Sequence, residues 1–183
     1  SSENTYLQPS PIFARTLSGQ LRNAAAVRDA SGAVTEDPVA EQLEAWLVRH
    51  GRRGLPVEPG VVVPTSPGVL ARRGVQRILH AAVACPLAGS GGFDVPDLGV
   101  RRAVRECFAL ARLERRADPR VSSIAFPLLG AGGGGLTPQA SIGLLWPTIR
   151  DELAQDPGWQ VHLCAWTPAE AVPVLQALLA DAG

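Results

Sequence analysis

Along this 183-residue chain the spacing of apolar positions switches repeatedly between helical stripes and short continuous runs. Residues 1–11 are polar and carry Pro9 and Pro11, which predicts a loop. From Phe13 to Val27 the stripe Phe13, Leu17, Leu21 and Ala24–Ala25 predicts a helix. Asp29 to Gly32 reads as a turn. Asp37-Pro38 supplies an N-cap and a first-turn proline for an amphipathic helix through His50. That helix turns Val39, Leu43, Trp46 and Leu47 inward, and Gly51 and Gly54 close it. Apolar runs at Val61–Thr65 and Val75–Val83 predict two strands, separated by a turn at Ser66-Pro67-Gly68. Pro86 to Pro96 is glycine-rich and irregular. Leu98 to Ala117 predicts a long helix with Val100, Val104, Phe108 and Leu113 near helical spacing. Val121–Phe126 predicts a buried strand, followed after Pro138 by a helix to about Ala154. Trp159–Trp166 predicts a last strand and Pro168–Ala182 a last helix.

Strands that alternate with helices pack as a mixed, mostly parallel sheet flanked by helices, so the expected class is α/β in three layers, α/β/α. The length suits one domain over residues 1–183. No internal repeat or linker divides it. At 46% hydrophobic and 19% charged the chain is globular.

The stretch with the most chemistry lies between the Val121–Phe126 strand and the helix after Pro138. Pro127 offers no N–H and is expected to end the ladder. Gly130 to Gly135 then carry five glycines in six positions, interrupted only by Ala131. Strand, glycine loop and helix N-terminus form an arrangement in which backbone N–H groups converge on an anion. Glycine also lets phosphate oxygens approach with no Cβ in the way. The alternative is a flexible linker; the position between a buried strand and a helix favours the anion site. A GxxxxGK[ST] loop is excluded, because all 17 basic residues are arginine. Gly130, Gly132 and Gly135 match GxGxxG, but no acidic residue follows at the end of a second strand; Asp151 falls within a helix.

The formal net charge is zero, which argues against a nucleic-acid backbone or an anionic membrane as partner. Three dispersed cysteines (Cys85, Cys107, Cys164) suit a reducing cytoplasm and match no zinc spacing. The three histidines are equally scattered, so no metal is expected. The chain contains no methionine and opens directly on Ser1-Ser2-Glu3-Asn4, which suggests a fragment of a longer polypeptide.

Four segments together resemble a macrodomain, the family of ADP-ribose-binding α/β modules. Ser1-Ser2-Glu3-Asn4 resembles the family's Asn-Ala-Ala-Asn loop, and Leu17 to Ala25 resembles its helix Val-Asp-Gly-Ala-Ile-x-x-Ala-Ala. Pro56 to Thr65, with the strand ending Ile78-Leu79-His80-Ala81, resembles its central strand pair. Ser123 to Gly135 resembles its phosphate loop. The resemblance implies a cleft for ADP-ribose, free or attached to protein. Leu129, Gly130, Ala131, Gly132, Gly133, Gly134, Gly135 and Leu136 would hold the diphosphate. Ser2, Glu3 and Asn4 would approach the distal ribose, and Trp166 would stack on adenine. No cofactor or membrane is implied, and nucleic acid enters only as an ADP-ribosylated target.

Departures from the family pattern matter as well. The strands expected before the asparagine loop are absent, so another segment or chain would complete the sheet, and the adenine-reading residue is unassigned. Ile12-Phe13-Ala14-Arg15 replaces a Gly-Gly-Gly. Arg15 is either a phosphate donor or a solvated helix residue. An aromatic residue of the phosphate loop is replaced by glycine.

Asn4 is the candidate for ribose contact and catalysis, the alternative being a turn asparagine bonded to its own backbone. Glu3 is a candidate acid or base, or an ordinary loop carboxylate. The alternative for Trp166 is a core or interface tryptophan; His80, Cys107 and Cys164 read as core and His162 as outward-facing. With no compelling general base, the expectation is a binding module. An ADP-ribosyl hydrolase or O-acetyl-ADP-ribose deacetylase and a degenerate protein-interaction module are the alternatives.

Overall fold

The computed structural model describes residues 1–181 and contains eight strands and five α-helices in that range. In chain order they are β1 (Ser2–Asn4), α1 (Leu17–Ala25), β2 (Val27–Arg28), β3 (Val34–Glu36), α2 (Pro38–Arg49) and β4 (Val62–Thr65). There follow a 3₁₀ turn (Gly68–Arg73), β5 (Ile78–Pro86), β6 (Phe93–Asp94), α3 (Asp97–Ala117), β7 (Ser123–Pro127), α4 (Pro138–Gln155), β8 (Gln160–Cys164) and α5 (Pro168–Ala180). The expected end of the last helix, Ala182, lies outside the described residues.

Central to the sheet is β5, which pairs in parallel with β1 and antiparallel with β4; β6 adds a short antiparallel pair at its far end. Strands β7 and β8 pair in parallel, with Ile124 opposite Val161 and Phe126 opposite Leu163. Strand pairing is thus mixed, as expected, but not mostly parallel: only β1–β5 and β7–β8 are parallel among the described pairs, and β2–β3 and β7–β8 each form a two-stranded sheet apart from the one around β5.

The uninterrupted apolar run of β5 follows from burial on both faces. Its residues alternate between two cores. Ile78 and Ala82 meet Val39, Leu43 and Leu47 of α2. Ala81 and Val83 meet Val100, Val104 and Phe108 of α3, together with Ile142 and Leu145 of α4. Phe108 is fully buried and packs edge-on to Trp159, with ring centroids 6.2 Å apart. Strands β7 and β8 differ: Ile124 and Phe126 join the α3–α4 core, while Ser123, Ala125, His162 and Cys164 face solvent.

Several expectations need correction. Residues 2–4 form a strand, because tertiary pairing with β5 supplies the ladder that local pattern does not. The first helix begins at Leu17, since the Thr16 side chain caps it by accepting from the Gly19 N–H. Phe13 accordingly lies outside it and is 75% exposed. The turn at Asp29–Gly32 joins the β2–β3 hairpin, a pairing too short to leave a period in the sequence. On α3, Leu113 is exposed and Ala111 is buried. Leu113 lies five residues after Phe108, beyond the three-to-four spacing that would keep it on the core stripe. Pro127 remains in register with Cys164, because the other edge of β7 tolerates a missing donor.

Candidate functional site

A cleft of about 530 Å³ opens at the C-terminal ends of β1, β5, β7 and β8. The sequence-predicted Ser2, Glu3, Asn4, Arg15, Ala131, Gly132, Gly133, Gly134 and Trp166 all line it. Leu129 does not: its side chain is buried in the larger core. Leu136 packs against the same core, and Gly130 and Gly135 lie beside the cleft and shape the loop.

One wall is the glycine loop. Gly130, Gly132 and Gly135 have φ of 76°, 81° and 87°, a region that residues with a Cβ enter only under strain. The turn is closed by N–H bonds from Gly135 to the Gly132 carbonyl and from Leu136 to the Gly130 carbonyl, both 3.1 Å. Among the described residues the N–H groups of Gly133 and Gly134 have no backbone partner, which leaves them available to an anion. The glycines divide by role. A Cβ on Gly132 or Gly133 would meet nothing within 4 Å, whereas one on Gly134 would lie 2.5 Å from the Gly130 carbonyl oxygen. One on Gly130 would lie 2.8 Å from Val95. Gly130 and Gly134 therefore serve the loop's own packing, and Gly132 and Gly133 face open space.

The opposite wall is β1 and the turn after it. Asn4 Oδ1 accepts the Tyr6 N–H at 2.9 Å, and the Leu7 N–H donates to the Asn4 carbonyl at 2.9 Å. The side chain thus makes the turn bond of its alternative reading, and among the described residues its Nδ2 has no hydrogen-bond partner. Leu7 has φ of 52° and is 1% exposed. A left-handed residue of this kind costs about 1–2 kcal/mol, which burial of the leucine side chain offsets. The two walls touch where the Gly130 N–H donates to Ser2 Oγ at 3.3 Å.

Beneath this wall lies a buried polar network. Glu3 lies in β1 and is 4% exposed, so it is not a solvated loop carboxylate. Its Oε1 accepts from Ser1 Oγ at 2.8 Å and from His80 Nδ1 at 3.0 Å, and its Oε2 accepts from Ser18 Oγ at 2.9 Å. Ser18 Oγ in turn accepts the Ser10 N–H. His80 Nε2 meets Thr65 Oγ1 at 3.0 Å. Burial holds the His80 pKa below its ordinary value, against the Glu3 carboxylate that raises it. In the neutral imidazole Nδ1–H donates to Glu3 and Nε2 accepts from Thr65. Hydroxyl, imidazole and carboxylate in this order resemble a nucleophile relay, but Thr65 is 1% exposed and does not line the cleft. The network fixes β1, α1, β4 and β5 to one another; it holds the wall in place.

At the base of the third side stand Trp166, 63% exposed at the end of β8, and Glu170, in the first turn of α5. Glu170 Oε2 accepts the Trp166 N–H at 2.8 Å, and the Thr167 hydroxyl caps the helix by accepting the Glu170 N–H. Trp166 is therefore a surface aromatic over the cleft and not core. Cys164 also lines the cleft and is exposed, contrary to its expected burial; its neighbours on the same face of β7–β8, Ser123, Ala125 and His162, are exposed as well. Cys107 is buried as expected, and burial pushes its thiol up to about 12. Arg15 is exposed and lines the cleft, and among the described residues it is the only basic one that does so.

Sequence reasoning missed Gln8, Ser10, Thr16, Ser18, Phe93 and Glu170 among the lining residues. For Glu170 a signal existed: Thr167-x-x-Glu170 is a capping-box spacing directly after a strand. Ser10 and Ser18 carry no pattern that distinguishes them from solvated serines.

No family model and no curated protein matches the sequence. Solved structures do match in fold. A macrodomain of Oceanobacillus iheyensis with ADP superposes at a TM-score of 0.74 and 15% identity, over 100% of this chain and 82% of that one. The same macrodomain with MES bound gives 0.71 and 17% identity, over 100% and 82%. The Trypanosoma brucei macrodomain in complex with ADP-ribose gives 0.63 and 14%, over 97% of this chain and 61% of that one. A chain-wide superposition of this quality, with the glycine loop and the asparagine turn facing each other across one cleft, establishes that this chain has the macrodomain fold.

Proposed function

We propose that the cleft binds ADP-ribose, free or attached to protein, and that the chain acts as a binding module. The observation that carries this reading is the pair of facing walls. Backbone N–H groups of a loop with open space over Gly132 and Gly133 stand opposite the Asn4 amide, whose Nδ2 has no partner among the described residues, with an exposed tryptophan at one end. The loop suits a diphosphate, which needs several N–H donors and close backbone approach. The carboxamide suits a ribose hydroxyl, and the indole suits a base. Arg15 adds the charged donor that the zero net charge of the chain does not otherwise bring to the cleft. Binding without turnover is favoured because Glu3, the carboxylate nearest Asn4 in sequence, already accepts three side-chain donors. The natural partner is then an ADP-ribosylated protein read through its modification.

Calorimetric titration with ADP-ribose tests this. Saturable one-site binding is the expected result, with ADP weaker because it lacks the distal ribose. Absence of binding overturns the reading in favour of a degenerate module that contacts proteins by its surface. Release of ADP-ribose from modified protein at a rate above background would instead make the chain a hydrolase.

A further inference from the structure

We propose that two copies of this chain join through the open edge of β8 and the apolar flank of α5. The proposal stands apart from the ligand reading above and does not rest on it. Its starting point is α5, whose sequence is apolar almost all round: from Pro168 to Ala180 only Glu170 and Gln176 are polar. A helix of that kind belongs in an interior. Here only Val174 is buried. Val172, Leu175 and Leu179, at positions i, i+3 and i+7 and so on one face, are 52%, 57% and 71% exposed. Leu175 also lines a groove of about 360 Å³ between α4, α5 and β8, together with Trp146, Leu153, Val161, Leu163 and Leu178. The stripe, the groove and the strand therefore form one continuous apolar surface.

The strand supplies the direction of pairing. Among the described residues β8 pairs with β7 alone. The Gln160 N–H donates to the Ser122 carbonyl, so Gln160, His162 and Cys164 turn their backbone groups to β7, and Val161 and Leu163 turn theirs outward. An edge of unpaired N–H and C=O groups beside apolar side chains is a template for another strand. A second copy fits it. In an antiparallel pairing centred on His162, Val161 of one copy faces Leu163 of the other, and each such pair exchanges both of its N–H···O bonds. Any other two-fold centre pairs one of these residues with a position outside β8. The two-fold axis keeps the α5 flanks of both copies on one side of the joined sheet. No charge opposes closure: α5 carries none between Glu170 and Asp181, and Asp181 is paired with Arg150 at 2.5 Å. An uncharged, apolar surface with an open strand edge is complementary to itself, whereas a charged partner would find no counter-charge on it.

Sedimentation equilibrium of the intact chain should give the mass of a dimer at micromolar concentration. Leu175→Glu and Leu179→Glu place a charge in the contact but leave it in water in the single chain. Each should therefore remain folded by circular dichroism and weaken the dimer at least roughly tenfold. The register has its own test. In the pairing about His162, Gln160 of one copy stands opposite Cys164 of the other at a non-hydrogen-bonded position, where Cα atoms are about 4.5 Å apart and within disulfide reach. On air oxidation Gln160→Cys should give a covalent dimer, and neither the intact chain nor Gln160→Cys combined with Cys164→Ser should do so. A monomeric intact chain overturns the proposal, as does an open series of larger species, because a two-fold contact closes on itself. A dimer insensitive to both glutamates, or one that Gln160→Cys does not link, uses another contact and overturns it equally.

Discussion

The two walls of the cleft are built on opposite plans. The glycine wall is local: five glycines in six consecutive positions, with positive φ at Gly130, Gly132 and Gly135. The β1 wall is non-local. Its stability comes from Glu3 bonded to Ser18, 15 residues away, and to His80, 77 residues away. A wall made of missing atoms can be blocked without unfolding the protein. A wall resting on a buried carboxylate cannot lose that carboxylate without loosening four elements together. Substitutions should therefore separate cleanly, one wall reporting on binding and the other on folding.

The largest effect should come from Glu3→Ala. It leaves the Ser18 hydroxyl and the His80 Nδ1–H without their acceptor inside the protein, and breaking such a buried pair costs about 3–5 kcal/mol. Urea denaturation should show most of that loss, and Glu3→Gln, which keeps one acceptor, should lose less. A Glu3→Ala variant within about 1 kcal/mol of the parent would mean that water replaces the network at little cost.

On the other wall, Gly132→Val should leave urea stability within about 1–2 kcal/mol, the strain of a Cβ at positive φ. It should nevertheless weaken ADP-ribose by about a hundredfold, because the new side chain occupies the open space over the loop. Gly134→Ala is the control. Its Cβ would meet the Gly130 carbonyl, so stability and binding should fall together. If Gly132→Val is folded and binds as tightly as the parent, the loop is not the diphosphate site.

The same contrast predicts a pH dependence that belongs to one wall only. Burial, the largest influence on His80, lowers its pKa, so below about pH 6.5 the unfolded chain binds a proton that the folded chain resists. The stability from a neutral His80 is complete above that pH and is lost as pH falls through the lowered folded value. The urea midpoint should therefore drop between about pH 7.5 and 5 by more in the parent than in His80→Gln, whose difference cancels other titrating groups. Equal slopes would contradict a neutral imidazole.

This division also explains what the sequence discloses. The glycine loop, the capped starts of α2, α4 and α5, and the doubly buried run of β5 are local patterns with local causes. They are legible from residue type and spacing, whereas the likeness to a macrodomain was carried by four segments, Ser1–Asn4, Leu17–Ala25, Pro56–Ala81 and Ser123–Gly135. The β1 strand, the burial of Glu3 and the burial of Ser18 depend on partners tens of residues away, and no period marks them. Cys164 and Leu113 were misread because an alternating or near-helical position tells which face a residue occupies, not whether that face is covered. The face of β7–β8 that bears Cys164 is exposed along its length, and only the packed structure reveals it.

Asn4 stands where the two plans meet, and the smallest expected effects are the most discriminating. Its Oδ1 belongs to the folded turn through the Tyr6 N–H, while among the described residues its Nδ2 makes no hydrogen bond and is open to the proposed ligand. Asn4→Asp keeps the acceptor and removes only the donor, so stability should hold. Affinity for ADP-ribose should fall by roughly tenfold, and affinity for ADP, which has no distal ribose, much less. Asn4→Ala removes both functions and should add a stability loss of about 1 kcal/mol from the broken turn bond. Equal losses for ADP and ADP-ribose in Asn4→Asp would place the amide against the diphosphate. No loss for either, with the Asn4→Ala stability cost intact, would assign the residue wholly to the turn. The left-handed Leu7 that follows makes this last comparison sensitive, because a turn that already holds a strained backbone has little stability to lose before the wall moves.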